Sequence, residues 1–396
     1  MEKDLRNALQ NKLEEIANLL RNSTDKFDHP GVITGISGLA LFMYYYARFA
    51  GEGKYAEVGE DALEKAVNMI NNGYKYHTFC TGISGLAWTC EHLEKNGFID
   101  HDYFSILSDL DPYLLSCMEK DFGKKNYDFL HGGLGIGYYF LTKRKPNKNN
   151  TQTLFQCLKD IAIIDKNDSV KWEATLNDTG RRVYNLSLSH GMSSIVVLLS
   201  KFTQIYPQHV EAKDLLMKTV RYILQQKNPK PVVSVFPLYS IESDDDPLIS
   251  RLGWCYGDLG IASSIHQAGH ALGNKTFENE ALNILLHNCK RRDLKDNFVL
   301  DAGLCHGSAG ISHIFHRAYM NTKNDSFKEA SLYWIEKTLE MGHYEDGLAG
   351  YKTWYGKEKG WSNQYPLLEG IIGIGFSLLS LLNPDLMSWD ECMLLS

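Results

Sequence analysis

Two cysteines and a histidine stand at matching places in this chain, in Trp254-Cys-Tyr-Gly257 and in Leu304-Cys-His-Gly307. Thiolate sulfur and imidazole nitrogen are ligand types that zinc favours. A structural zinc site takes four ligands, often from Cys-x-x-Cys pairs, a spacing absent here. Three ligands from two distant segments (Cys255, Cys305 and His306) read instead as an open site, with the fourth position left for water or substrate. Two thiolates and a neutral imidazole bring such a complex to a formal charge near zero. A substrate thiol arriving fourth loses its proton in the field of the ion and stays nucleophilic on an electron-rich metal. That chemistry suits alkylation of a thiol better than hydrolysis, for which zinc usually has His and carboxylate ligands. The other reading, that Cys255 and Cys305 are small buried packing residues, stays open at this point. Cys90, Cys117, Cys157, Cys289 and Cys392 lack such a context and read as packing residues; Cys80 departs only in standing two residues before another glycine.

His190, in Ser187-Leu-Ser-His-Gly191, can serve as a general base near pH 7 and, when protonated, as a general acid. Asp128, in Asn126-Tyr-Asp-Phe-Leu-His-Gly132, can accept a proton or orient a partner. A capping histidine and a surface aspartate are the plainer alternatives. Arg251, Trp254 and Tyr256 flank Cys255 and can line a pocket or stabilise a developing oxyanion. Core packing serves equally well for Trp254. His131 is one further candidate.

A repeated glycine phrase must position these residues. It reads Gly35-Ile-Ser-Gly38, Gly82-Ile-Ser-Gly85, Gly132-Gly-Leu-Gly135, Gly191-Met-Ser-Ser194, Gly257-Asp-Leu-Gly260, Gly307-Ser-Ala-Gly310 and Gly370-Ile-Ile-Gly373. The first glycines are 47, 50, 59, 66, 50 and 63 residues apart. A unit of that length holds one helical hairpin with its loops. An apolar segment follows the phrase at Leu39 to Ala50, Leu86 to Leu93, Leu188 to Phe202, Ile261 to Ala271, Ile311 to Tyr319 and Ile371 to Leu382. Helices apolar all round are buried. Amphipathic helices alternate with them, as at residues 4 to 21, where Leu5, Leu9, Leu13, Ile16, Leu19 and Leu20 recur at mostly helical steps, and at Tyr55 to Asn71. The pattern predicts an all-α protein of inner apolar and outer amphipathic helices, each inner helix opening at a glycine phrase. If the repeats close into a ring rather than an open solenoid, the chemistry-bearing residues meet at one end. Glycines there would let helix ends approach closely, and free N–H groups at those ends would favour anions.

The repeats make the 396 residues one domain, 1–396, despite a length that could hold two or three. Loop insertions are expected near 141–185 and 228–250, the second with a possible short strand from Pro231 to Pro237 and an acidic run, Asp244-Asp-Asp. A hydrophobic content of 44% supports a large core, and a net charge of -7 argues against a nucleic-acid binder. The longest apolar stretch, Leu39 to Phe49, contains Arg48 and is too short to span a bilayer. The charged start, Met1-Glu-Lys-Asp-Leu-Arg6, lacks a signal-peptide apolar region, so a cytoplasmic protein with reduced cysteines is expected.

At Trp254-Cys-Tyr-Gly257, Leu304-Cys-His-Gly-Ser-Ala-Gly310, Ser187-Leu-Ser-His-Gly191 and Tyr127-Asp128 the chain resembles the lanthionine synthetase C-like family, over about residues 30 to 380. The resemblance implies an α/α toroid of seven helical hairpins. It implies one zinc held by Cys255, Cys305 and His306. It implies a precursor peptide in which Ser or Thr has become dehydroalanine or dehydrobutyrine, cyclised by addition of a cysteine thiol to give lanthionine or methyllanthionine. In that reading His190 protonates the enolate, Asp128 assists it, and Arg251 and Tyr256 line the site. A separate dehydratase is implied, with an exporter as a further partner and a peripheral place at the membrane through such partners. The chain departs from the family pattern at His131, where an acidic residue is expected, and at Ser194, where glycine is. Competing readings are a zinc-containing thiol-, glutathione- or peptide-binding protein without cyclase activity, a prenyltransferase-like thiol-alkylating enzyme, and a six-hairpin glycosidase; the last needs two carboxylates and no metal.

Overall fold

Each glycine phrase opens a helix. In the computed structural model, which describes residues 2–100, 109–176, 180–229, 233–240, 242 and 248–396, Gly35, Gly82, Gly132, Gly191, Gly257, Gly307 and Gly370 are the N-cap residues of seven helices. These helices, Ile36–Ala50, Ile83–Lys95, Gly133–Thr142, Met192–Ile205, Asp258–Leu272, Ser308–Thr322 and Ile371–Leu382, are buried over most of their surface. Amphipathic helices alternate with them at Lys3–Leu20, Gly53–Asn71, Asp111–Gly123, Lys148–Asp160, Val210–Gln225, Lys275–Asn288 and Asp325–Met341. These bury a single stripe: Lys3–Leu20 hides Leu9, Leu13, Ile16, Ala17 and Leu20 and leaves Lys3, Asp4, Arg6, Glu14 and Glu15 in solvent.

The chain forms two compact units. One comprises Met1–Tyr103 and Arg292–Met393. Within it the buried helices pack side by side in the order Ile83–Lys95, Ile36–Ala50, Ile371–Leu382 and Ser308–Thr322. Its C-terminal turn is anchored by Asp390, fully buried, which accepts from Arg317 at 2.6 Å and meets His313 Nε2 at 2.8 Å. The other unit comprises Phe104–Arg291 and Leu394–Ser396, where Gly133–Thr142, Met192–Ile205 and Asp258–Leu272 pack in that order.

The glycines admit close approaches of two kinds. Mouths of successive repeats meet as expected, since a Cβ at Gly85 would stand 2.7 Å from Val32 N and one at Gly31 2.4 Å from the Cys80 carbonyl oxygen. They also let each loop fold back over the mouth of its own helix. At Gly257, with φ of +110°, a Cβ would stand 2.2 Å from the Arg251 carbonyl oxygen; at Gly310 it would stand 1.9 Å from that of Leu304. Ser194 is accommodated at the fourth mouth, where its hydroxyl donates to the Gly191 carbonyl at 2.6 Å. The same fold-back occupies the helix N–H groups. Met192 N donates to Asn185 O at 2.8 Å, Ser308 N to Asp301 O at 3.1 Å, and Ile371 N to Gln364 O at 3.0 Å. At these mouths the first helix N–H is therefore taken by the preceding loop rather than left free for an anion, as had been expected.

The segment 141–185 is also more ordered than the loops expected of it. Asn147, whose side chain accepts from Asn149 N and Asn150 N, caps the helix Lys148–Asp160. Two antiparallel hairpins follow, Ile163–Ile164 with Val170–Lys171 and Ala174–Thr175 with Arg182–Val183. In the 228–250 segment, residues 233–237 are not a strand, and Pro231, Val232 and the acidic run at 244–246 lie outside the described residues. Val235 N and Phe236 N instead donate to the buried Asp258 carboxylate, at 2.8 and 2.9 Å, and Arg291 meets the same carboxylate at 3.2 Å. Asp258→Ala removes the carboxylate of a buried pair, so a loss of about 3–5 kcal/mol is expected. A lowered melting temperature with earlier proteolysis of the 233–240 segment checks it.

Candidate active site

The imidazole of His190 and the carboxylate of Asp128 meet at 2.6 Å, Nδ1 to Oδ2. They come from the mouths of two successive buried helices of the Phe104–Arg291 unit. Asp128 is fixed by its own turn: Oδ1 accepts from Leu130 N and from His131 N, both at 2.8 Å. His190 is fixed likewise, since its N–H donates to Ser187 Oγ at 3.1 Å, and Ser187 N donates to Asn185 Oδ1 at 2.9 Å. The loop carrying Cys255 is stitched to that of His190, for the Cys255 carbonyl accepts from Leu188 N at 3.0 Å and Ser189 Oγ at 3.5 Å. Tyr256 lies 5.9 Å from His190 between ring centroids, and Asn185 Nδ2 donates to its hydroxyl at 3.4 Å. His131 stacks on His190, at 6.2 Å. A cavity of about 430 Å³ opens against this pair, with Asn185, Tyr239, Tyr256 and Leu176 on its walls.

The electrostatics follow from this geometry. Burial alone pushes the Asp128 carboxyl up, but the hydrogen bond and charge of His190 outweigh it and hold the group below the usual 3.8. Burial likewise pushes His190 down, yet the Asp128 carboxylate prevails and raises the imidazole above 6.5. His131 is lowered, chiefly by burial, with the Asp128 charge opposing. The two stacked imidazoles are thus shifted in opposite directions, His190 up and His131 down. The raised His190 stabilises the fold fully below its unfolded value of 6.5, and that contribution is lost as pH rises through its folded value. The depressed Asp128 contributes above 3.8 and loses its contribution as pH falls through its folded value. The ion pair therefore stabilises across the interval between the two. Asp128→Asn is expected to lower the His190 pKa, which a proton NMR titration of the imidazole C–H resonances checks, with His190→Gln to assign the signal.

Arg251 is half-exposed, and the structural feature it supplies is its carbonyl, over which Gly257 closes. Trp254 is buried in the core. Cys255 is buried as well.

In the other unit, Cys305 is buried and His306 half-buried at the mouth of Ser308–Thr322. Cys305 N donates to Leu368 O at 2.9 Å, and Leu368 N to Ile33 O at 3.2 Å. Cys80, at the equivalent place in its own repeat, accepts from Ile33 N and Thr34 N through its carbonyl, and its sulfur meets Thr34 Oγ1 at 3.5 Å. Two residues that the sequence reading did not single out stand beside Cys305: Glu369, and Tyr355, whose phenol donates to Glu369 Oε2. The signal for Glu369 was present. It occupies the place directly before a first glycine, as do His131, His190, Tyr256 and His306.

The lanthionine synthetase C-like family model matches residues 26–394. The chain belongs to the lanthionine synthetase C-like family. Among the family's curated members, the nisin biosynthesis protein NisC of Lactococcus lactis subsp. lactis is 22% identical over 360 residues, covering 83% of this chain and 84% of that protein. The solved structure of nisin cyclase aligns over 100% of this chain and 98% of that one, with a TM-score of 0.76 at 18% identity. The fold is accordingly the all-α, α/α toroid of this family. Its hairpins correspond to the seven glycine phrases, and no described helix is long and apolar enough to cross a membrane.

Proposed function

We propose that this chain is a zinc-dependent lanthipeptide cyclase. It joins a cysteine thiol of a dehydrated ribosomal precursor peptide to dehydroalanine or dehydrobutyrine, forming lanthionine or methyllanthionine rings. The observation that carries the reading is the Asp128–His190 pair opening on a cavity in a member of this family. Cys255, Cys305 and His306 are assigned as the protein ligands of one zinc. Two buried thiols and a half-buried imidazole make a suitable donor set, and all three cysteine and histidine positions stand at helix mouths. Bound there, zinc supplies the positive field that lowers the pKa of the peptide thiol.

The residues of the chain do the rest. The sulfur lone pair adds to the alkene β-carbon, a C–S bond forms, and the π electrons move onto the adjoining carbonyl as an enolate. His190, whose pKa the Asp128 carboxylate raises, delivers a proton to the α-carbon. Tyr256 walls the cavity beside His190, and Arg251 is assigned to the developing oxyanion. The two compact units belong to one domain, a reading supported by the family match across both. The proposal includes a cytoplasmic location, a separate dehydratase and an exporter as partners, and contact with the membrane only through them.

Addition of S–H across C=C leaves the mass unchanged, so ring formation is read as loss of alkylatable thiol. A peptide carrying one cysteine and one dehydroalanine should lose its free thiol in the presence of the zinc-loaded protein, faster than without it. No acceleration by a zinc-loaded, folded protein would refute the cyclase reading.

A further inference from the structure

Two lysines stand on the rim of the cavity that holds the Asp128–His190 pair. Lys124 and Lys125 follow the helix Asp111–Gly123, four and three residues before Asp128, and both line the cavity. Their turn is fixed by backbone hydrogen bonds: Lys124 N donates to Asp121 O at 3.0 Å, Lys125 N to Phe122 O at 2.9 Å and Asn126 N to Asp121 O at 2.9 Å. Lys125 takes a left-handed conformation there, φ +58°, at the place past a helix end usually given to glycine. Beyond the turn, Asn126 O accepts from Gly133 N at 3.1 Å and Asn126 Nδ2 donates to His131 O at 3.3 Å, so the lysine turn is tied to the helix mouth that carries Asp128. Both lysines are exposed, and among the described residues neither meets a carboxylate. Asp128 is the one carboxylate among the described residues that line the cavity, and its oxygens are taken by His190, Leu130 N and His131 N. In a chain of net charge -7, this rim thus carries two cations that no described anion answers.

We propose that Lys124 and Lys125 are specificity-determining residues that bind a carboxylate of the substrate peptide close to its dehydroamino acid. The proposal rests on the cyclase reading above. Two ammonium groups on adjacent residues make a compact positive charge without the fixed fork of arginine, so they recognise the sign of a group rather than its shape. Carboxylates are the anionic groups that a peptide offers, as an Asp or Glu side chain or as a free C-terminus. Lys125 and Asp128 are separated by about 11 Å of chain at most, and an extended peptide rises about 3.3 Å per residue. The carboxylate therefore belongs within about four residues of the carbon that His190 protonates. The lysines touch no reacting atom; they favour one stretch of peptide over another. A peptide with several dehydroamino acids should then close its first ring where an acidic neighbour stands.

The test uses the full-length zinc-loaded protein and short C-terminally amidated peptides with one cysteine and one dehydroalanine, carrying Glu, Gln or Lys beside the dehydroalanine. The Gln peptide is also made as the free acid. Loss of alkylatable thiol gives kcat/KM. Fluorescence anisotropy of labelled peptides with alanine in place of dehydroalanine gives Kd without any reaction. Wild type should favour the Glu peptide over the Gln peptide about three- to tenfold in both measurements, with the kinetic gain in KM. That ratio should shrink as salt is raised from about 0.01 M to about 1 M. In the double variant Lys124→Ala with Lys125→Ala the ratio should fall to about one. In Lys124→Glu with Lys125→Glu it should invert, the Lys peptide becoming the preferred one. Each ratio compares two peptides on one protein, so a general loss of folding or zinc cancels from it. Preference for the Glu side chain, or for the free acid over the amide, tells which carboxylate is bound. The same ratios in wild type and both variants overturn the proposal and leave the cyclase reading standing. Charge-dependent affinity without ring formation on any peptide removes the cyclase reading and leaves the carboxylate site. Absence of both removes the two together.

Discussion

Cys305→Ala is expected to take the zinc content from about one ion per chain to a small fraction of that, and to slow ring formation about 10²–10³-fold. Removing one of three protein ligands leaves a thiolate and an imidazole, too few to hold the ion against dilution. The several kcal/mol that the metal field contributes to charge development are then lost with it. Cys255→Ala and His306→Ala should behave alike. The control is Cys80→Ala. Cys80 sits two residues before a first glycine, as Cys255 and Cys305 do, but its sulfur is engaged by Thr34 Oγ1. It should lose neither zinc nor activity. Elemental mass spectrometry after gel filtration, beside a far-ultraviolet circular dichroism spectrum, makes the measurement. Unchanged zinc in all three ligand variants would sink the assignment, and loss of zinc in Cys80→Ala would show that the ligand set was misdrawn.

How far the sequence carried the fold depended on what each residue had to satisfy. The helix Ile371–Leu382 was legible to the residue, because its apolar run begins directly after Gly370 and breaks at Asn383-Pro384. The helix Lys148–Asp160 was not, because its polar start, Lys-Asn-Asn, reads as loop until the Asn147 side chain is seen to cap it. The hairpins of two-residue strands carry too little alternation for any period to register. The role of the glycines was half legible. Their position at helix mouths showed in the spacing, whereas the carbonyl six residues earlier that forbids a Cβ is a property of the folded loop alone. At the site, His190 and Asp128 were visible as types beside glycine phrases. Their contact across 62 residues, and the lowering of His131 next to the raising of His190, arise only in the folded chain. Glu369 carries no such signal of type, and only its register directly before Gly370 marks it.

His190→Ala is expected to slow ring formation about 10²–10⁴-fold, the span ordinarily lost with a general acid, while leaving zinc content unchanged. The second half of that expectation separates this variant from the cysteine variants. His190 is held by Asp128 and by the Ser187–Asn185 bracket, none of which is among the proposed zinc ligands. Thiol binding should therefore survive and only delivery of the proton should fail. Asp128→Asn should be the milder variant: it keeps an acceptor oxygen for the imidazole but removes the charge that raises the His190 pKa. Its alkaline limb should move to lower pH, since a donor with a lower pKa empties earlier as pH rises. A deuterium label makes the chemistry visible. In heavy water wild type should place one deuterium at the α-carbon with a single configuration, because the donor stands on one face. In His190→Ala, residual product should carry both configurations, as solvent reaches the enolate from either side. A single configuration in the residual product of His190→Ala would move the proton donor to another residue, and His131, stacked on His190, would be the next to replace.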